Sequence, residues 1–239
     1  MARIKALVFD VFGTLVDWRT SIARESEQAL TPLGIAVDWL AFADAWRDQY
    51  QPAMEEVRAG RIPFCKLDCL HRRNLDVVLA DLGLDQLNEA TRQQLNLAWH
   101  RLDAWPDVSA GLHALRQHYR LAPCSNGNIS LMVDLARRND FPWDAILGAE
   151  VARDYKPKPT VYLSAADAFD LRPDEVMMVA AHSSDLAAAA EAGLRTAFIA
   201  RPDEYGPGLG ESAATVPVDV SAGSLIALAQ ALSTANTPP

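Results

Sequence analysis

Short apolar runs alternate with helical segments from residue 105 of this 239-residue chain onward, and this alternation constrains the fold most. A similar run stands near the start of the chain. The runs are rich in branched residues, short, and found at residues 4–9, 120–124, 145–147, 176–180 and 196–199. Strands separated by helices with short connections form parallel sheets with right-handed crossovers. The pattern therefore predicts an α/β fold built on a doubly wound parallel sheet.

The segment between the first run and the others contains almost no strand-like sequence. After Asp38, which is typical of a helix N-cap, apolar residues recur at helical spacing as far as Gly60. Two further helical stretches follow before residue 104. We predict that residues 17–104 form an inserted all-helical cap domain. Residues 1–16 and 105–239 are then expected to form one Rossmann-like core domain.

Charge and composition exclude several classes of partner. The chain has 31 acidic and 22 basic residues and a net charge of −9, whereas nucleic-acid binding requires a basic surface. No apolar run approaches the ~18–20 residues that a bilayer requires, so we expect no membrane partner. An acid as early as Asp10 argues against a signal peptide, and three cysteines are too few for a disulfide scaffold. We expect a cytoplasmic protein.

Four polar clusters lie at strand ends or just beyond them. They comprise residues 10–14, 125–127, Lys156 and residues 182–185. In open parallel sheets the site lies outside the carboxyl ends of the strands. Each cluster alone has an ordinary structural explanation, since an Asp after a strand often caps a helix and Ser-Asn-Gly is a common turn. Together they place two carboxylates, small hydrogen-bonding groups and a cation on one rim, which suits a carboxylate nucleophile and an anionic substrate.

This set resembles the haloacid dehalogenase superfamily and, within it, the L-2-haloacid dehalogenases. The resemblance covers nearly the whole chain. The loop Asp10-Val-Phe-Gly-Thr14 is similar to the nucleophile loop, and Ser125-Asn-Gly to the second motif. Lys156-Pro157 is similar to the third motif and Asp185 to the fourth. Arg47, in Trp-Arg-Asp-Gln, matches the cap segment that carries the family's arginine.

Two positions depart from the superfamily's phosphatases. Phosphatases have Asp-x-Asp in the first motif, where the second Asp protonates the leaving alkoxide, but the corresponding residue here is Phe12. Their fourth motif is Gly-Asp-x-x-x-Asp, whose acids hold Mg²⁺, and the earlier Asp is replaced here by Ala181. A heavier halide leaves as a stable anion without protonation. We therefore favour a dehalogenase with no metal and no cofactor.

The resemblance implies hydrolysis of short 2-haloalkanoic acids to 2-hydroxy acids, with inversion at C2 and an ester intermediate on Asp10. Lys156 is expected to orient Asp10, Thr14 to hydrogen-bond it or brace its loop, and Asp185 to orient or activate water. The expected substrate- and halide-binding residues are Arg47, Ser125, Asn126, Phe12 and His182. Phe12 replaces a tyrosine of some relatives.

Several alternatives stay open at this point. His182 has three candidate roles, which are donation to the halide, orientation of the hydrolytic water and capping of the next helix. Another hydrolase of the superfamily, such as a phosphatase or phosphonatase, is the first rival. A non-catalytic relative that binds a ligand through its cap is the second. The expected partner is a small 2-haloacid carboxylate, and a homodimer is not excluded.

Overall fold

The computed structural model describes residues 3–235, and its centre is a six-stranded parallel sheet. The strands are β1 (Ala6–Phe9), β4 (Arg120–Ser125), β5 (Leu147–Gly148), β6 (Val176–Ala180), β7 (Arg195–Ile199) and β8 (Val220–Ala222). Their order across the sheet is β5-β4-β1-β6-β7-β8, and every neighbouring pair is parallel. The chain thus winds outward in one direction from β1 and then in the other, so the doubly wound α/β fold is confirmed.

Helices cover both faces of the sheet because successive strand residues point to opposite sides. In β1, Leu7 and Phe9 belong to one buried cluster, and Ala6 and Val8 belong to another. The first cluster includes residues of α6 (Val108–Arg116), α7 (Ile129–Asn139) and α11 (Leu225–Ala235). The second includes residues of α9 (Pro159–Asp167) and α10 (Ser183–Glu191), while α8 is a single turn at Ala149–Ala152.

The helical insertion lies between β1 and α6. Its helices are α1 (Trp18–Leu30), α2 (Trp39–Asp48), α3 (Tyr50–Arg58), α4 (Leu67–Asp81) and α5 (Glu89–Asn96). Asp38 caps α2 as predicted, since its side chain accepts a hydrogen bond from Ala41 N. Within residues 3–235, no helix combines the length and the hydropathy needed to span a bilayer.

The insertion is helical as predicted, and a short ladder closes its two ends. β2 (Val16–Asp17) and β3 (Asp103–Ala104) pair there in an antiparallel two-stranded ladder. Two-residue strands show no alternation that a sequence pattern can reveal, and their pairing joins residues far apart in the chain. The ladder brings the beginning and the end of the insertion to one point.

Three other features differ from the sequence-based expectation. The single helical run expected after Asp38 divides into α2 and α3 at Gln49, just before Pro52, which has no N–H and is tolerated only in a first helical turn. The second of the two further helical stretches predicted before residue 104 is α5 followed by a 3₁₀ turn at Leu97–Arg101. The edge strand β8 was not predicted because it is short and only half-buried.

Candidate active site

Asp10 follows β1 directly, at the centre of the carboxyl edge of the sheet. Its backbone N–H donates to Val179 O of the neighbouring strand β6 at 3.0 Å. The Thr14 hydroxyl donates to Asp10 Oδ2 at 2.7 Å, and Thr14 Oγ1 accepts from Ala181 N at 2.9 Å. The buried Arg201 guanidinium donates to Thr14 O at 2.8 Å. These bonds fix both the loop and the carboxylate that it presents.

Lys156 lies between two carboxylates. Its Nζ is 2.9 Å from Asp10 Oδ1 and 2.6 Å from Asp185 Oδ2, and the Tyr162 hydroxyl donates to Asp185 Oδ1 at 2.6 Å. Burial alone would raise the pKa of Asp10, but the charge of Lys156 and the hydrogen bond from His182 hold it well below its usual range. Burial likewise opposes the charged form of Lys156, whose pKa the two carboxylates raise well above the ordinary value. Asp10 is therefore an ionised carboxylate with a fixed cation beside it.

The backbone of Lys156 is anchored by both the core and the cap. Lys156 N donates to Asn126 Oδ1 at 2.9 Å, and Arg58 of α3 donates to Lys156 O at 2.8 Å. Asn126 follows β4, so the second and third motifs meet through this bond. Burial raises the pKa of the Tyr50 hydroxyl, and the Arg47 charge and Asn126 partly oppose this rise.

Arg47 reaches the cleft from the end of α2. Its guanidinium carbon lies 4.1 Å from the centroid of the Tyr50 ring, 5.2 Å from that of Trp18 and 6.0 Å from that of Phe12. Such contacts attract the cation without neutralising it. Arg47 Nη1 is buried and has no hydrogen-bond partner among residues 3–235. The nearby Asp44, a conceivable partner, is instead paired with Arg19 at 2.6 Å.

Ser125 lies deeper than predicted. It is completely buried at the end of β4, it is not part of the cleft lining, and its Oγ accepts a hydrogen bond from Gly127 N at 3.1 Å. Its expected contact with the substrate carboxylate therefore stays a prediction. The structure brings together the other predicted residues, which are Asp10, Phe12, Thr14, Arg47, Asn126, Lys156, His182 and Asp185.

His182 faces carboxylates on both sides of its ring. Nδ1 is 3.2 Å from Asp10 Oδ2, and Nε2 is 2.8 Å from Glu204 Oε2. The alternative that its side chain caps α10 is wrong, because the ring forms no hydrogen bond with the helix start. Nε2 is hydrogen-bonded to Glu204 and Nδ1 lies beside the nucleophile, so donation by His182 to a halide stays a prediction.

The donor set does not fit a magnesium ion. Mg²⁺ requires several oxygen ligands, yet Ala181 supplies none and the Lys156 ammonium lies between Asp10 and Asp185. Among residues 3–235, no group of three or more His, Cys, Asp or Glu side chains is arranged to hold a metal ion. The cation that this site offers to Asp10 is the lysine itself.

A cleft of about 790 Å³ connects these groups, with core residues on one side and residues of α2 and α3 on the other. Asp10, Lys156 and Asp185 line it together with Arg47 and Tyr50. The arrangement suits attack by a carboxylate on a small anionic molecule, with an unpaired guanidinium to receive a leaving anion.

Comparison with known proteins agrees with this geometry. The profile of the haloacid dehalogenase-like hydrolases matches residues 4–193. The chain belongs to the haloacid dehalogenase-like hydrolases. The resemblance predicted from the motifs is thereby confirmed.

Within this family the chain is similar to enzymes that are named for haloacids. It is 30% identical to (S)-2-haloacid dehalogenase 1 of Pseudomonas sp. (strain CBS-3), covering 86% of this chain and 89% of that protein. A crystal structure of a defluorinating L-2-haloacid dehalogenase is 45% identical, with a TM-score of 0.94 over 96% of this chain and 95% of the other. Another L-2-haloacid dehalogenase structure is 47% identical, with a TM-score of 0.93 over 97% and 99%.

Two residues of this haloacid dehalogenase-like site had no predicted role. Tyr162 and Val161 belong to the match with the third motif, six and five positions after Lys156, but the motif alone did not indicate the bond from Tyr162 to Asp185. Glu204 lies in a loop after β7, outside every motif. No sequence signal relates Glu204 to His182, because the two residues meet only through the arrangement of β6 and β7.

Proposed function

We propose that this protein hydrolyses the carbon–halogen bond of short (S)-2-haloalkanoic acids and gives 2-hydroxy acids. The observation that carries the proposal is the Lys156 ammonium 2.9 Å from Asp10 Oδ1, because it supplies an ionised, oriented carboxylate nucleophile where a phosphatase would use a metal. The similar proteins named (S)- and L-2-haloacid dehalogenases support the choice of substrate.

In the first half of the reaction, Asp10 attacks C2 of the substrate from the side opposite the halogen. A carbon–oxygen bond forms, the carbon–halogen bond breaks, and an ester of Asp10 remains. Arg47 and Asn126 are the proposed halide-binding residues, since the Arg47 guanidinium carries a positive charge and an unpartnered buried nitrogen. Charge on the halide grows as the bond breaks, so these contacts stabilise the transition state more than the substrate.

In the second half, water attacks the carboxyl carbon of Asp10 and releases the hydroxy acid. C2 is not touched again, so the configuration is inverted once. Asp185 is proposed to hold Lys156 in place, because one of its oxygens accepts from Lys156 and the other from Tyr162 at 2.6 Å each. Phe12, which cannot donate a proton, suits a leaving group that needs none.

The rival phosphatase activity is disfavoured by two side chains. Phe12 occupies the position of the acid that protonates an alkoxide, and Ala181 occupies that of a magnesium ligand. An intact nucleophile, cation and second carboxylate in one cleft disfavour a non-catalytic binding protein.

The test is halide release from fluoro-, chloro- and bromoacetate and both enantiomers of 2-chloropropionate, with EDTA present. We expect chloride from chloroacetate and from the (S) enantiomer, none from the (R) enantiomer, and none from an Asp10→Asn variant. A generic aryl phosphate hydrolysed only when Mg²⁺ is added, with no halide released from any haloacid, would establish the phosphatase instead.

A more specific proposal concerns the halogen, namely that the protein also releases fluoride. Fluoride leaves poorly and requires strong convergent donors, and Arg47 and Asn126 provide two. The 45%-identical structure is that of a defluorinating enzyme, which supports detectable fluoride release from fluoroacetate. If His182 donated to the halide, His182→Ala would reduce fluoride release more than chloride release. Since both ring nitrogens face carboxylates, we expect the two rates to fall equally.

A cytoplasmic location is a proposal that rests on the sequence, and a homodimeric state is a further proposal. Fractionation of the host cell tests the first, and sedimentation of the purified protein tests the second. The core domain of residues 1–16 and 105–239 and the cap domain of residues 17–104 are likewise proposed units. Limited proteolysis at the two-stranded ladder tests this division.

A further inference from the structure

Glu204 is a buried carboxylate held against the nucleophile loop. Its side chain is 1% exposed, Oε1 accepts from Trp18 Nε1 at 3.0 Å, and Oε2 lies 2.8 Å from His182 Nε2. A Cβ on Gly13 would lie 2.0 Å from Glu204 Oε1, and Gly13 has a φ of +83°. The carboxylate therefore fills a space that only glycine leaves open at this position. The bond from Trp18 on one side and the close approach to Gly13 on the other fix the orientation of this carboxylate toward His182.

The His182 ring connects this buried carboxylate to the reacting carboxylate. Nε2 faces Glu204 and Nδ1 is 3.2 Å from Asp10 Oδ2. The His182 side chain is 20% exposed, and it lines the cleft, so water reaches its edge. An imidazole between a reacting group and a buried carboxylate is an arrangement that suits general-base catalysis.

Asp185 is less suited to accept a proton from water. Both of its oxygens are hydrogen-bonded, one to Lys156 and one to Tyr162, at 2.6 Å each. A carboxylate that compensates a buried ammonium loses that interaction when it is protonated. His182 does not compensate the charge of Lys156, so its protonation costs no such ion pair.

We propose that His182 is the catalytic base that accepts a proton from the water attacking the Asp10 ester, and that Glu204 is the residue that positions it. The inference rests on the proposed function, because it concerns the hydrolysis of the ester formed there. It gives a specific role to Glu204, which lies outside the four motifs.

The charge of His182 changes during the cycle. Burial would lower its pKa, but the hydrogen bonds and charges of Asp10 and Glu204 raise it to about 10, so the ring is an imidazolium in the free enzyme. Ester formation makes Asp10 neutral and removes one of these two carboxylates. The other charged or titratable groups that line the cleft keep their charge in this step; they are Arg47, Tyr50, Glu55, Arg58, Lys156, Lys158, Tyr162, Asp185, Tyr205 and Glu211. The pKa of His182 consequently falls, and the Nδ1 proton passes to solvent.

The protons balance over the two halves. The substrate and water together yield the hydroxy acid, a halide ion and one proton, and that proton is the one released from His182 Nδ1 after the halide departs. Water then adds to the ester carbon and gives a proton to Nδ1, which passes it to the departing alkoxide. The carboxylic acid left on Asp10 ionises, and its proton returns His182 to the imidazolium form.

The first test measures the charge of His182 without using turnover. Histidine resonances of the ¹³C-labelled protein are titrated in the wild type and in Asp10→Asn, whose neutral side chain mimics the charge of the ester. His182→Gln identifies the resonance. We expect His182 to be protonated at pH 8.5 in the wild type and to titrate at a lower pH in Asp10→Asn. Identical titrations in the two proteins would overturn the proposal, whether or not the protein releases halide.

The second test separates the two halves of the reaction in Glu204→Gln with (S)-2-chloropropionate. We expect one equivalent of chloride at close to the wild-type rate, then steady-state turnover reduced at least ~10-fold, as for loss of general-base catalysis. Mass spectrometry should find the ester on the peptide that contains Asp10. The matched control is Glu56→Gln, because Glu56 lies on the insertion outside the cleft lining and pairs with the exposed Arg61 at 2.9 Å. This variant should turn over like the wild type.

Trp18→Phe provides a second variant if Glu204→Gln does not fold. It removes the bond from Trp18 Nε1 to Glu204 Oε1 and also shortens the ring beside Arg47, so the chloride burst is measured in the same variant. We expect a burst close to that of the wild type and a smaller accumulation of the same ester. If wild-type protein releases chloride and both variants hydrolyse the ester at the wild-type rate, the role of Glu204 is refuted while the dehalogenase activity stands. Absence of chloride release from the wild type would instead refute the proposed function.

Discussion

The Lys156 ammonium lies 2.9 Å from Asp10 Oδ1, although 146 positions separate the two residues in the chain. Both side chains are almost completely buried, with side-chain exposures of 7% and 10%. A buried ion pair of this kind contributes little to net stability as a pair, but removal of one partner leaves the other charge uncompensated. The burial of the pair supports its proposed role in the reaction.

Replacement of Lys156 by alanine should impair both stability and activity. It would leave Asp10 and Asp185 without their shared cation, and loss of one partner of a buried pair costs ~3–5 kcal/mol. Chemical denaturation measures this loss, and chloride release should fall below detection. Lys158→Ala, two positions away on the exposed surface, is the control and should change the unfolding free energy little. Equal stabilities of the two variants would contradict the buried-pair interpretation.

Replacement of Arg47 by alanine should reduce kcat more than it reduces stability. The guanidinium has aromatic neighbours and an unpartnered nitrogen, so its charge is available to the departing halide. By analogy with the loss of one oxyanion donor, we expect a fall of ~10²-fold in kcat. Steady-state chloride release measures kcat, and thermal unfolding measures stability. Arg61→Ala, whose exposed side chain pairs with Glu56 on the same insertion, should leave both unchanged. Unaltered kcat in Arg47→Ala would show that another group receives the halide.

The product of an (S)-2-haloacid should be the (R)-2-hydroxy acid. Attack by Asp10 inverts C2, and hydrolysis at the carboxyl carbon leaves C2 untouched. Chiral chromatography checks the configuration. In ¹⁸O-labelled water, the hydroxyl oxygen of the first-turnover product should be unlabelled because it comes from Asp10. Labelled product in the first turnover would mean that water attacks C2 directly.

His100 should make stability depend on pH at the contact between the insertion and the core. Its Nδ1 is 2.7 Å from Asp134 on α7, and its Nε2 is 3.1 Å from Asp68 on α4. Burial opposes protonation, but the hydrogen bonds and charges of these carboxylates raise the pKa of His100 above its ordinary value of 6.5. The contribution to stability is therefore complete below pH 6.5 and is lost as pH rises through the folded-state pKa.

The measurement is the difference in unfolding free energy between wild type and His100→Gln at several pH values. We expect a difference of ~2 kcal/mol at pH 6, from hydrogen bonds to charged groups, and a smaller one at pH 9. His113→Gln, which removes an exposed pair with Asp140, is the control and should show a difference near zero. A difference for His100→Gln that does not vary with pH would contradict this assignment.

Local patterns were sufficient to predict the core of the fold. The apolar run that became β1 ends at Phe9, one residue before Asp10, and the runs that became β4, β6 and β7 are likewise buried strands. Since parallel strands end at one edge, residues at those ends were expected to converge. Asp10, Asn126 and His182 do so because β4, β1 and β6 are adjacent in the sheet.

Short and non-local features were not predictable in this way. The ladder of β2 and β3 contains two residues in each strand, and nothing in either pair indicates its partner. The division between α2 and α3, which lets Arg47 and Tyr50 meet at 4.1 Å, depends on the packing of two helices that one periodic pattern had suggested were continuous.

The sequence by itself determined the α/β class, the helical insertion, the likeness to dehalogenases and the absence of a proton donor at Phe12 and of a metal ligand at Ala181. These follow from residue types at fixed positions along the chain. Only the tertiary structure decided that Lys156 lies between Asp10 and Asp185, that Ser125 is buried below the cleft, and that Glu204 reaches His182. The reason is physical: which atoms share a proton or compensate a charge depends on distances of about 3 Å between distant parts of the chain, and no local pattern encodes them.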